Sequence, residues 1–247
     1  TGGIKIELGK TLNKGEQLTI DITYQVQSPK LGVYFTGPTA FYTDKPYQVW
    51  TQGQDDDSHN WFPVAEADHP NHKMTSEVVV TVPKGYTVGS TGALTGAPVE
   101  KAGKVTHRYV QHDVHDFAWT ADNRYAKPLV KTWNGPNGPV QVSVLYTPDY
   151  ASNAQPVLQA TIDSLDYFSK TLGGYPYKTA TAVVPPYGAD EAGGMEYPTF
   201  FTADSTRQDQ PGTLGRFALD FVTVHEFGHG YFYGILASNE FEEPMLD

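Results

Sequence analysis

Three side chains near the end of the sequence, His225, Glu226 and His229, stand at a spacing that can hold a divalent ion. They lie in His225-Glu226-Phe227-Gly228-His229. On a helix, residues four apart share a face, so both imidazoles reach one ion. Glu226 points one step round that face and can touch a metal-bound water without ligating the metal. A zinc ion lowers the pKa of such a water from about 15.7 towards 7, and the carboxylate takes its proton as the water attacks a carbonyl. The chain has no cysteine, so thiolate sites and disulfides are excluded and any metal must be held by His and carboxylate. Two imidazoles leave a catalytic zinc short of its usual three protein ligands. The acids after His229 are Glu240, Glu242, Glu243 and Asp247.

A second constellation precedes the first: Gly193-Gly194-Met195-Glu196-Tyr197. Paired glycines let backbone come close to a ligand, and the carboxylate after them can capture a terminal ammonium. Taken alone, the segment is equally a Gly-Gly turn with a solvated Glu. Two other groupings read as structural. Asp55-Asp56-Asp57 with His59 lacks the alternating spacing of a calcium loop and reads as a solvated turn. His107, His112 and His115 share a strand face only in part and read as ordinary surface or core histidines.

The elements that must position these residues change character along the chain. Hydrophobic residues make up 39% and aromatics 13%, a globular composition. With 28 acids against 17 bases the net charge is −11, which disfavours nucleic acid and anionic membrane surfaces as partners. No apolar run is long enough to span a membrane. The first half predicts short strands: Gly3–Leu8, Gln17–Tyr24, Ser76–Val82, Tyr86–Val88 and Thr106–Val110, punctuated by Gly and Pro. Dense turn residues at Trp133–Pro139 place a domain boundary at about residue 130. Beyond it the pattern predicts strands at Val140–Tyr146 and Thr179–Val184. A helix is predicted over Pro156–Leu172, started by Pro156 at its first position and capped by Gly173. A second is predicted from Thr213 to about Tyr233, carrying both histidines of the first motif.

In this order and spacing, the two motifs resemble the aminopeptidase N family of gluzincin zinc peptidases, which carries G-x-M-E-N followed by HExxH-x18-E. Tyr197 stands where the family has Asn. Further matches run upstream: Trp50–Gln54 resembles the family's T-Q-x-[EQ] strand. Trp61-Phe62-Pro63, Asp68–Asn71, Thr81–Tyr86 and Val114–Ala121 resemble the segments after it. The resemblance implies a multi-domain protein. Residues 1–130 would form an N-terminal mainly-β sandwich or saddle domain lacking its first strands, and residues 131–247 the first part of a thermolysin-like α+β catalytic domain. It implies zinc as cofactor, His225 and His229 as ligands, Glu226 as general base and Glu196 as anchor of the substrate's α-amine. The Gly193, Gly194 and Met195 backbone would hold the substrate strand, and Gln54 would line the first specificity pocket.

The expected activity is that of a zinc-dependent aminopeptidase acting on peptides with a free N-terminus. Eighteen residues beyond His229 is Asp247, so the family's third ligand would be the next residue. Its oxyanion Tyr would lie further on. The expectation is therefore a fragment that needs the C-terminal part of the same protein, and that is inactive and poor at holding zinc alone. A thermolysin-type endopeptidase is the nearest rival, and the amine anchor Glu196 argues against it. The epoxide-hydrolysing branch of the family is disfavoured rather than excluded by Gln54. A non-catalytic scaffold would have no use for Glu226. The compartment is open between cytoplasmic and exported.

Overall fold

Alternation of β-branched and polar residues produces the first elements. The computed structural model describes residues 5–27, 31–36, 48–53, 57–64, 74–189, 192–236 and 243–246. After β1 (Val33–Phe35) and β2 (Val49–Thr51) comes β3 (Met74–Pro83), in which Val78, Val80 and Val82 are buried while their neighbours are exposed. Then follow β4 (Thr87–Ser90), β5 (Ala93–Leu94), β6 (Val99–Lys101), β7 (Lys104–Val114) and β8 (Trp119–Asp122). Two sheets result, one in the order β1-β2-β8-β4, the other β3-β7-β5 with β6 also on β7. Val78, Val80, Val82 and Tyr109 of the second meet Val88 and Ala121 of the first, and the Tyr109 hydroxyl donates to the Val88 carbonyl at 2.9 Å. This is the expected β-sandwich. The strands predicted over Ser76–Val82, Tyr86–Val88 and Thr106–Val110 are β3, β4 and β7.

The strands predicted at Gly3–Leu8 and Gln17–Tyr24 are a correction: residues 5–27 carry no strand. Ile6, Leu8, Leu18, Ile20, Ile22 and Tyr24 alternate as a strand would, yet all are exposed. Alternation supplies an apolar face, but a strand also needs an edge to pair with, and no described strand pairs there.

The second half is a five-stranded sheet covered by helices. Its strands are β9 (Leu129–Gly135), β10 (Gly138–Leu145), β11 (Thr179–Val183), β12 (Met195–Tyr197) and β13 (Phe200–Thr202), in the order β12-β13-β11-β10-β9. β10, β11 and β13 run parallel, and β9 and β12 are antiparallel edges. Helix α1 (Ala151–Thr171) crosses over between β10 and β11, and α2 (Leu214–Phe232) follows β13. Alternate residues of the central strands serve two cores. Val142, Val144, Ala180, Ala182 and Phe201 pack under α1 and α2 with Leu165, Leu219 and Phe227. Leu145, Val183, Met195, Tyr197 and Phe200 pack against Ala118 and Tyr125 of the N-terminal half.

Both predicted helices form, one with a shifted start. α1 begins at Ala151, after a 3₁₀ turn at Pro148–Tyr150, so Pro156 lies inside the helix. A proline this close to a helix start forfeits only one backbone bond. The start signal was Thr147-Pro148. At the other end Gly173, at φ +130°, donates to the Phe168 carbonyl at 3.2 Å, as the cap reading required. α2 matches its predicted bounds: Thr213 is extended (φ −86°, ψ 154°), and its side chain accepts from Arg216 N. Among the described residues no helix is long and apolar enough to cross a membrane.

Candidate metal centre and active site

Helix α2 presents its chemistry at its C-terminal half. The Nε2 atoms of His225 and His229 face each other at 3.1 Å, with the rings nearly perpendicular. Two nitrogens bound to one tetrahedral zinc at 2.0–2.1 Å stand about 3.3 Å apart, so the pair fits as two ligands of a single ion. The donor set also fits, being imidazole and carboxylate with no thiol. Phe221, one turn before His225, stacks on its ring (5.8 Å, 13°) and limits its rotation. Glu226 faces inward from the same turn and is buried. The helix is seated by Phe227, which lies among Phe168, Tyr175, Phe201 and Tyr231, and Ser169 and Tyr231 pair their hydroxyls across the two helices at 3.1 Å.

The Gly193–Tyr197 segment meets the helix from the sheet. Among the described residues β12 has β13 as its strand partner, and Glu196 stands opposite Phe201 in that register. Gly194 turns at φ +66°, and a Cβ there would lie 3.4 Å from Glu226 Oε1. The turn therefore stands close beside the Glu226 carboxylate. Ligand-capable atoms of Glu196, Glu226 and His229 all lie within 4.8 Å of one another. This is the one such convergence among the described residues. The structure thus brings together His225, Glu226, His229, Glu196 and the Gly193–Met195 backbone. Gln54 lies outside the described residues, as do residues 55–56 of the acidic turn. The strand before Gln54 does approach: Trp50 of β2 packs with Ala189 and Ala192, just ahead of Gly193. The histidines of β7, His107 and His112, and His115 just after it take ordinary places. His112 Nδ1 pairs with Thr75 Oγ1 at 2.9 Å, His107 stacks near Tyr109, and His115 packs on Tyr233 at 4.1 Å.

Sequence reasoning passed over Asp116. Its Oδ1 accepts from Phe117 N at 2.7 Å and lies 3.3 Å from the Ser58 hydroxyl, which is also 3.4 Å from the Gly53 carbonyl. A Cβ on Gly53 would lie 3.0 Å from Asp116 Oδ2, so only glycine lets the loop come this close. Burial pushes the Asp116 carboxyl up to about 7, against the opposing pull of its two hydrogen bonds. Tyr197 is buried beside it. Loss of solvent, with the Asp116 charge adding to it, holds the Tyr197 phenol well above its usual range. The residue that departs from the family motif is thus a neutral, packed phenol behind Glu196.

Residues 1–115 match the model of the peptidase M1 N-terminal domain. The fold is similar to the crystal structure of Legionella pneumophila aminopeptidase A in complex with aspartic acid. The TM-score is 0.66 at 15% identity, over 83% of this chain and 24% of that one. The chain therefore spans about a quarter of that protein's length. No curated protein matches the sequence.

Proposed function

We propose that the chain, whose first 115 residues match the peptidase M1 N-terminal domain, is the zinc-binding portion of an aminopeptidase of that kind. The observation that carries the reading is the convergence of His229, Glu226 and Glu196, with His225 Nε2 at 3.1 Å from His229 Nε2. His225 and His229 would hold zinc. When bound, the ion acidifies a water and polarises the scissile carbonyl. The chain's own residues do the rest. Glu226, buried and beside the Gly194 turn, takes the proton of the attacking water and returns it to the leaving amine. Glu196, close to Glu226 on an edge strand, pairs with the substrate's α-ammonium and so fixes the cut one residue from the N-terminus. β12 is the end strand of its sheet among the described residues, and an extended peptide would lie along it.

The test uses the full enzyme. Glu226→Gln is expected to retain zinc, by metal analysis, and to lose at least about 100-fold in kcat. Undiminished turnover with zinc bound would remove Glu226 from its role. An aminoacyl anilide should be cleaved and its N-acetylated counterpart left intact. Equal cleavage of both would replace the aminopeptidase reading with an endopeptidase.

A further inference from the structure

We infer that Thr199 is a positioning residue for Glu196: clamped by the N-terminal sheets, it fixes the hairpin turn that sets the depth of the β12 edge against α2. The inference rests on the reading of Glu196 as amine anchor.

Pro198 and Thr199 are the two residues between β12 and β13. Proline holds φ near about −65°, whereas Thr199 adopts φ +61°. That sequence of signs belongs to a type II turn, whose second position favours Gly or Asn. It does not belong to the primed turns that match strand twist in two-residue hairpins. A β-branched side chain in the left-handed region persists only where its surroundings over-determine it.

Two bonds do so. The Thr199 carbonyl accepts from Thr181 N of β11 at 2.8 Å, within its own sheet. Its hydroxyl accepts from Gly92 N at 2.7 Å, and this bond crosses to the N-terminal half. The donor lies close against β7. Gly92 sits at φ +90°, and a Cβ there would meet the Val110 carbonyl oxygen at 2.6 Å. Thr199 is 6% exposed, so water does not compete for the bond.

The turn governs Glu196 because β12 is three residues long and, among the described residues, has one strand neighbour. At one end Gly194 stands beside Glu226; at the other the chain is anchored through Thr199. Slack at the turn moves Glu196 relative to Glu226 and His229 while leaving the α2 residues in place.

Thr199→Gly tests this in the full enzyme, because glycine accepts φ +61° without strain and removes only the hydroxyl and methyl. The reporters are an aminoacyl anilide and two hydroxamate inhibitors, one bearing the α-amine and one lacking it. KM is expected to rise about 10-fold with kcat within about 3-fold, and the amino hydroxamate to weaken about 10-fold while the des-amino compound holds. Thr199→Ser, which keeps the acceptor, restores both values. Unchanged KM, or equal weakening of both hydroxamates, overturns the assignment. Glu196→Gln separates the two readings. If it leaves amino-hydroxamate binding intact, the amine anchor fails. If it weakens that binding while Thr199→Gly does not, only the role of Thr199 fails.

Discussion

At the residue scale, Asp116 carries a consequence that can be measured without substrate. Its carboxyl titrates at about 7 in the folded protein, against 3.8 as the ordinary value. Between those values the folded chain keeps a proton that the unfolded chain has released. Stability from this group is therefore full below about pH 4 and falls as pH rises to about 7, by on the order of 4 kcal/mol. Asp116→Asn removes the titration. Its melting temperature should gain on that of the native protein between about pH 4.5 and 7.5 and run parallel above that range. A difference between the two melts that does not vary with pH would show that Asp116 titrates normally. The same residue marks the limit of what the sequence makes legible. His225, Glu226 and His229 are readable because helix geometry alone puts four-apart side chains together. Glu196 is readable because it follows the Gly193-Gly194 pair in a segment that resembles G-x-M-E-N. Asp116 meets Ser58, and Thr199 meets Gly92, across distances in sequence that no local pattern encodes. Pro198-Thr199 does signal a turn, but not that its second residue has φ above zero.

At the element scale, α2 is the part that must not fray, because it bears both imidazoles. Its start rests on Thr213, whose Oγ1 accepts from Arg216 N at 3.2 Å and lies within 2.6 and 2.7 Å of the Gln208 and Gln210 carbonyl oxygens. Thr213→Ala should cost about 1 kcal/mol in chemical denaturation, and Thr213→Ser should recover most of it. An unchanged midpoint would mean that the loop over residues 204–213 holds the helix without its cap. This cap and the Gly173 stop were visible in sequence because both are local signals. The start of α1 was misplaced because two prolines, Pro148 and Pro156, compete as first-turn residues, and only packing decides between them. Residues 5–27 misled for the opposite reason. Their alternation is as regular as that of β3, and β3 differs in having β7 to pair with along its whole length.

At the scale of the whole molecule, the C-terminal half depends on the N-terminal half for one face of its sheet. Helices α1 and α2 cover one side; the other buries Leu145, Val183 and Phe200 against Ala118 and Tyr125. The junction is tight at Gly89 of β4. A Cβ there would lie 2.3 Å from Leu145 Cδ1 and 3.1 Å from Phe200 Cε2. Leu145 can swing its tip aside, but Phe200, at 2% exposure, has no space to move into. Phe200 also begins β13, directly after Thr199, and pairs with Tyr197 of β12. A larger side chain at position 89 should therefore act in two places at once. Gly89→Val is expected to destabilise the protein by about 1–3 kcal/mol through overpacking. It should also raise KM for a free-amine substrate more than it lowers kcat, because pressure on Phe200 is passed through the hairpin to Glu196. Loss of stability with KM untouched would mean that the two halves merely support each other's cores. A KM effect that vanishes in Phe200→Leu, which clears the space, would instead trace the route from the N-terminal sheet to the amine site.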